Sequence, residues 1–143
     1  MLQPAPSDLK TKPQTSETIE LLHNRVSVRQ YSDAPVSEEL IETILSASFR
    51  SPTSSNIQSY SVIIVRDPAI KEQLSVVTGN QQHVRTAPVF LAFCADLTRI
   101  NQATQNNGHN IDDNNLEIGL VSSIDAALVG MSAYLAAESV GLK

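Results

Sequence analysis

The chain has 143 residues, 41% of them hydrophobic and 17% charged. That suits one packed domain and is too apolar for a disordered chain. A formal net charge of −5 argues against a nucleic-acid partner, because phosphate-backbone binding needs a basic face. The single cysteine, Cys94, excludes an internal disulfide framework and a cysteine-built zinc site.

Residues 1–15 are rich in Pro, Gln, Ser and Thr and lack an apolar h-region. They are expected to form a disordered lead-in rather than a signal peptide, with the folded part spanning 16–143. No uninterrupted run reaches the ~18 apolar residues of a membrane helix. The nearest, Ala126 to Ala137, is bracketed by Asp125 and Glu138. The simplest expectation is a cytoplasmic chain with no membrane partner.

Ser16 to Asn24 reads as a short helix capped by Ser16, with Ile19 and Leu22 on one face. Arg25 to Tyr31 alternates and is β-branched, so it should be extended, with Val26 and Val28 facing the core. Pro35 and Ser37 open a second helix, with Glu38 and Glu39 in its first turn and Leu40, Ile41, Ile44, Leu45 and Ala47 at helical spacing. Arg50 to Ser59 is a polar loop. Ser61 to Val65 is a continuous apolar run, expected to be a strand buried on both faces. Asp67-Pro68 starts a helix whose inner face should hold Ile70, Leu74 and Val77, and Thr78-Gly79-Asn80 stops it. Pro88 to Ala95 is a second buried strand. Asn101 to Asn115 is either a polar helical extension or a mobile loop. From Leu116 the longest helix begins, apolar nearly all round over Ala126 to Ala137, with Gly141 placed as its C′ residue. A chain this small has trouble surrounding such a helix alone. Either a second subunit or further sequence is expected to cover it.

Three segments carry candidate chemistry. In an extended segment, residues two apart share a side. Arg25, Ser27 and Arg29 therefore form either a solvated edge or an anion site, since two guanidiniums offer forked donors to a phosphate dianion. Pro52 to Gln58 offers hydroxyls and amides without charge, and is either an ordinary Ser/Asn turn or a reader of a neutral polar heterocycle. Thr78 to His83 is either a plain helix end or a turn that presents the amides of Gln81 and Gln82. His23, His83 and His109 lack metal-ligand spacing. His109 with Asp112 and Asp113 reads as a solvated loop before a cation site. Cys94 reads as a buried, inert thiol. Neither GxGxxG nor a P-loop occurs.

Together these segments resemble the nitroreductase family of flavoproteins, in its NADPH-dependent, oxygen-insensitive nitroreductase and FMN reductase branch. The carriers are Arg25-Val26-Ser27-Val28-Arg29 with Tyr31 to Val36, Ser51 to Gln58, Leu74 to Val84, Phe93 to Asp96 and Ala136 to Leu142. The resemblance implies an α+β fold, a mixed sheet flanked by helices, forming an intertwined homodimer with FMN at its interface. It implies that Arg25, Val26, Ser27 and Arg29 hold the phosphate and ribityl end, and that Arg29 reaches toward the pyrimidine edge. It implies that Thr53, Ser54, Ser55, Asn56 and Gln58 line the flavin pocket, partly from the second subunit, and that Gln81 contacts the ring. The implied activity is hydride transfer from NADPH or NADH, through FMN, to nitroaromatics, quinones or free flavin. Two departures stand out. Val26 occupies a position where the family usually carries a polar or basic residue. The chain also ends at Lys143, before the Gly-rich strand and basic C-terminal elements that the family supplies, so 16–143 reads as the N-terminal portion of such a domain. The alternative is a non-catalytic fragment that forms only a dimerisation core or a weak flavin-binding module.

Overall fold

The computed structural model describes residues 15–112 and 115–143. Except for Thr15, the expected lead-in lies outside them, as does Asp113 of the His109 loop. Six helices and two strands follow in order among these residues: α1 (Glu17–Asn24), α2 (Glu38–Ser48), β1 (Tyr60–Val65), α3 (Pro68–Val77), α4 (Gln82–Thr86), β2 (Phe90–Ala95), α5 (Thr98–Asn106) and α6 (Leu116–Ser139).

Local chemistry sets most helix boundaries. Ser16 Oγ accepts from Ile19 N at 3.3 Å and Ser37 Oγ from Leu40 N at 3.2 Å. Asp67 caps Pro68–Val77 by accepting from Ala69 N at 2.7 Å and Ile70 N at 3.1 Å. Asn115 caps α6 by accepting from Ile118 N at 3.0 Å. Each such cap satisfies a donor that the helix cannot satisfy itself, worth about 1 kcal/mol. At the far end of α6, Gly141 takes φ +88°. Leu142 N then donates to Ala137 O at 3.0 Å and Gly141 N to Glu138 O at 3.1 Å. This is the Schellman arrangement expected of a C′ glycine.

β1 and β2 pair antiparallel, Tyr60 opposite Ala95 through Val65 opposite Phe90. Val62 and Phe93 lie opposite each other and pack with Tyr60 against Ala126 and Val129 of α6. α2 also packs against α6, with its Ile41, Ile44, Leu45 and Ser48 buried. Val129 is fully enclosed, and burying such a side chain contributes roughly 1.5–3 kcal/mol.

Several expectations need correction. Val26 is exposed, because the extended segment 25–31 joins no sheet. Ile63 and Ile64 are exposed: as neighbours on β1 they point to opposite sides of the two-stranded sheet, and neither is covered by another element at that point among the described residues. α3 is rolled by one residue from its expected face. Lys71 and Ser75 are buried while Ile70 and Val77 are exposed, and Lys71 Nζ donates to Ala87 O at 2.7 Å. That bond ties the inner side of α3 to the chain entering β2. In α2 it is Ser48, donating to Leu45 O at 2.8 Å, that is buried rather than Ala47. The Asn-rich stretch after Leu97 is helical through Asn106, then turns at Gly108. Cys94 is half-buried rather than buried. By length and composition α6 would qualify to cross a membrane, against the sequence expectation, but the core helices of soluble proteins pass the same test. Here α6 buries Ser122, Asp125, Ala126, Val129, Ala133 and Glu138 against the rest of the chain. Its opposite face leaves Leu116, Leu120, Ile124, Leu128 and Met131 exposed.

The start of α5 is held by an acid-sensitive contact. Asp96 accepts from Thr98 N at 2.8 Å and from the Ser61 hydroxyl. These hydrogen bonds, that from Ser61 foremost, hold its carboxyl below the usual 3.8, at about 2. A carboxyl depressed in the folded state stabilises fully above its unfolded value, and the contribution disappears as pH falls through the folded value. Asp96→Asn is therefore expected to flatten the acid limb of stability between about pH 4 and pH 2. Urea midpoints measured across that window check it, and an unaltered limb would contradict the assignment.

Candidate functional site

The segment Arg25 to Tyr31 runs without backbone pairing between α1 and α2. Arg25, Ser27 and Arg29 are all exposed. The Arg25 guanidinium lies 5.4 Å from the centroid of the Tyr134 ring on α6, and its Nη1 donates to the Tyr134 hydroxyl at 3.4 Å. That hydroxyl donates to Val26 O at 3.0 Å, so Val26 contributes its carbonyl rather than its side chain. Arg29 has no ion pair or hydrogen bond among the described residues, and neither arginine meets a carboxylate there. In a chain of net charge −5, two neighbouring uncompensated guanidiniums are a donor set suited to a phosphate dianion.

Other residues of the segment face elsewhere. Val28, Gln30 and Tyr31 line a cavity of about 790 Å³ together with Gln81, β2 and the end of α6. Arg25 and Arg29 are not among its lining residues, although Tyr134, on which Arg25 rests, is. Gln81 stands between the end of α3 and α4, where Gly79 and Asn80 adopt φ +93° and +58° to turn the chain. Its Nε2 donates to Thr78 O at 2.7 Å, which leaves its amide oxygen as the available acceptor. Arg85 grips Glu72 with two guanidinium nitrogens and also reaches Asn80 at 3.1 Å, fastening α4 to α3 behind this turn.

The Ser54 to Gln58 loop is built differently. Ser54 to Asn56 form a 3₁₀ turn, and Ser55, Asn56 and Gln58 take φ of +50°, +55° and +55°. Left-handed backbone is costly away from glycine, so something must hold it. Asp125 does. Its Oδ1 accepts from Ser54 N at 2.9 Å, and its Oδ2 from Ser59 Oγ at 2.9 Å and Ser59 N at 3.3 Å. One fully buried carboxylate thus clamps both ends of the loop. Arg99 Nη2 donates to Gln58 O at 2.7 Å, and Ser51 Oγ bonds Ser132 Oγ at 2.6 Å. Thr53 is half-buried, while Ser54, Ser55, Asn56 and Gln58 are exposed. Sequence reasoning missed Asp125, Tyr134, Arg99 and α4. The signal for Asp125 was present: an acid in the middle of a largely apolar helix seldom stays buried without donors.

The structure does not bring all the expected residues together in one copy. The arginine segment rests on Tyr134 and the Ser54 loop on Asp125. These positions are nine residues apart on α6, which is about 13 Å along the axis and half a turn out of phase. The helix itself stands between the two segments.

Comparison with known proteins comes to the same ground. Residues 22–143 match the model of the nitroreductase family. An FMN reductase (NADPH) of Bacillus subtilis is 41% identical over 129 residues, covering 89% of this chain and 52% of that protein. An oxygen-insensitive NADPH nitroreductase of Salmonella typhimurium is 39% identical over 127 residues, covering 89% and 51%. The solved structure of a Bacillus subtilis nitroreductase, NfrA1, superposes with a TM-score of 0.83 at 41% identity, covering 87% of this chain and 51% of that one. The chain spans about half the length of the curated relatives it matches.

Proposed function

The chain belongs to the nitroreductase family, and from that membership we propose that it is part of an FMN-dependent oxidoreductase driven by NADPH or NADH. The observation that carries this reading is the pair of uncompensated guanidiniums, Arg25 and Arg29, on the extended segment beside α6. FMN ends in a phosphate, and these two side chains with Ser27 between them suit that end. The chemistry FMN supplies when bound is transfer of a hydride from the nicotinamide to an acceptor, here a nitroaromatic, a quinone or free flavin.

The chain's own residues bind and orient. Arg25, Ser27 and Arg29 neutralise and fix the phosphate end. The Gln81 amide oxygen accepts from a ring N–H. The Thr53, Ser54, Ser55, Asn56 and Gln58 region, shaped by Asp125 and exposed on the other side of α6, serves the site of the second copy. A homodimer follows from that division of labour. The exposed row of Leu116, Leu120, Ile124, Leu128 and Met131 on α6 is the face we assign to the contact. Cytoplasmic residence fits the NADPH or NADH that would supply the hydride.

The test is reconstitution of the purified chain with FMN, followed by sedimentation and by NADPH oxidation with a nitro compound or quinone. A yellow dimer that turns over supports the enzyme. A yellow dimer without turnover makes this chain a flavin-binding module. A colourless monomer that FMN does not alter overturns the reading.

A further inference from the structure

We propose that Tyr134 and Glu138 are positioning residues that preset the Arg25–Arg29 segment for its anion. The inference rests on the flavin reading above and extends it to two residues that no motif singled out for this role. The segment lies in no sheet, so ladder hydrogen bonds do not hold it. Among the described residues, every hydrogen bond from Arg25 to Tyr31 to another part of the chain runs through one atom, the Tyr134 hydroxyl. It accepts from Arg25 Nη1 and donates to Val26 O, so it fixes a side chain and a backbone unit together. The remaining bond in the segment, Tyr31 Oη donating to Val28 O at 3.1 Å, is internal to it.

Glu138 stands one helical turn beyond Tyr134, and its Oε1 lies 3.1 Å from the same hydroxyl. Its side chain is enclosed, the residue being 8% exposed, and its Oε2 is buried without a partner among the described residues. A half-satisfied buried carboxyl is expensive. The cost is accounted for if the group aims the hydroxyl, whose single proton is then shared between Val26 O and Glu138 Oε1. Arg25 uses one of its five N–H donors on this anchor and keeps the rest for a ligand. Ordering a long cationic side chain before binding spares the entropy that binding would otherwise spend.

FMN and riboflavin share ring and ribityl chain and differ in the phosphate, so the pair separates positioning from general damage. In fluorescence titrations of the full chain, Tyr134→Phe should weaken FMN binding about three- to tenfold, the scale of one ordinary hydrogen bond, with riboflavin binding changed less than about twofold. Glu138→Gln keeps an acceptor and should stay near the parent, while Glu138→Ala should behave like Tyr134→Phe. Combined with Arg25→Ala, Tyr134→Phe should cost less than it does alone, because part of its effect runs through the same guanidinium. Equal losses for the two flavins, no loss for either, or additive losses in the double variant overturn the positioning role. If Glu138→Ala does not fold, Tyr134→Phe, which deletes one oxygen from a half-buried ring, carries the test. A parent chain that binds riboflavin as tightly as FMN overturns the phosphate reading itself, and this role with it. That result is distinct from a parent that prefers FMN while its Tyr134→Phe variant is unchanged.

Discussion

Asp125→Ala is expected to destabilise the chain by about 3 kcal/mol or more, the largest effect of any single substitution considered. Three donors converge on this carboxylate: Ser54 N, Ser59 N and Ser59 Oγ. A hydrogen bond to a charged group contributes roughly 1.5–3 kcal/mol, and stranding a buried donor costs roughly 1–3 kcal/mol more. The contributions do not add fully, because the loop relaxes once the clamp is gone. That relaxation also releases the left-handed backbone of Ser55, Asn56 and Gln58, so the damage should reach the candidate site as well as the core. Urea unfolding reads the stability. Ser59→Ala, which removes one donor and leaves the carboxylate bonded to two backbone amides, should cost about 1.5 kcal/mol. Asp125→Asn should fall between the two, since its amide can accept on one side only. An Asp125→Ala chain within about 0.5 kcal/mol of the parent, the range of neutral surface changes, would show that the loop holds its shape without the clamp.

Arg29→Ala should leave stability almost untouched and weaken FMN binding by roughly 10- to 150-fold, the equivalent of about 1.5–3 kcal/mol for a charged contact to phosphate. The contrast follows from the structure. Arg29 is exposed and has no intramolecular partner among the described residues, so the folded state has little to lose. Arg29→Lys should recover part of the loss, because a point charge replaces a fork. Riboflavin affinity should barely move, and added salt should narrow the gap between parent and variant. If Arg29→Ala retains FMN as the parent does, the guanidinium serves solvent, and the phosphate assignment of the segment is wrong.

Much of the fold was legible because it follows local rules. Ser16, Ser37 and Asp67 cap the helices they were expected to cap, and Gly141 ends α6 with the predicted geometry. These features depend on a few neighbouring residues and their unsatisfied backbone groups. The family resemblance was legible for a related reason, as short motifs in a fixed order carry through residue types alone. Less legible was which side of each element is covered. The apolar residues of α3 suggested Ile70, Leu74 and Val77 inward, yet a lysine and a serine are buried there. The contact from Lys71 to Ala87 O, across sixteen residues, is invisible to periodicity.

The candidate site divides the same way. Chain order and residue chemistry alone nominated Arg25, Ser27, Arg29, the Ser54 to Gln58 turn and Gln81, because donors and acceptors are written in side-chain identity. Only the tertiary structure showed that Tyr134 anchors the first group, that Asp125 shapes the second, and that α6 separates them. Those facts depend on helix phase and on contacts between residues some 70 to 110 positions apart. No local pattern encodes such distances, because the free energy that selects them comes from packing the whole chain at once.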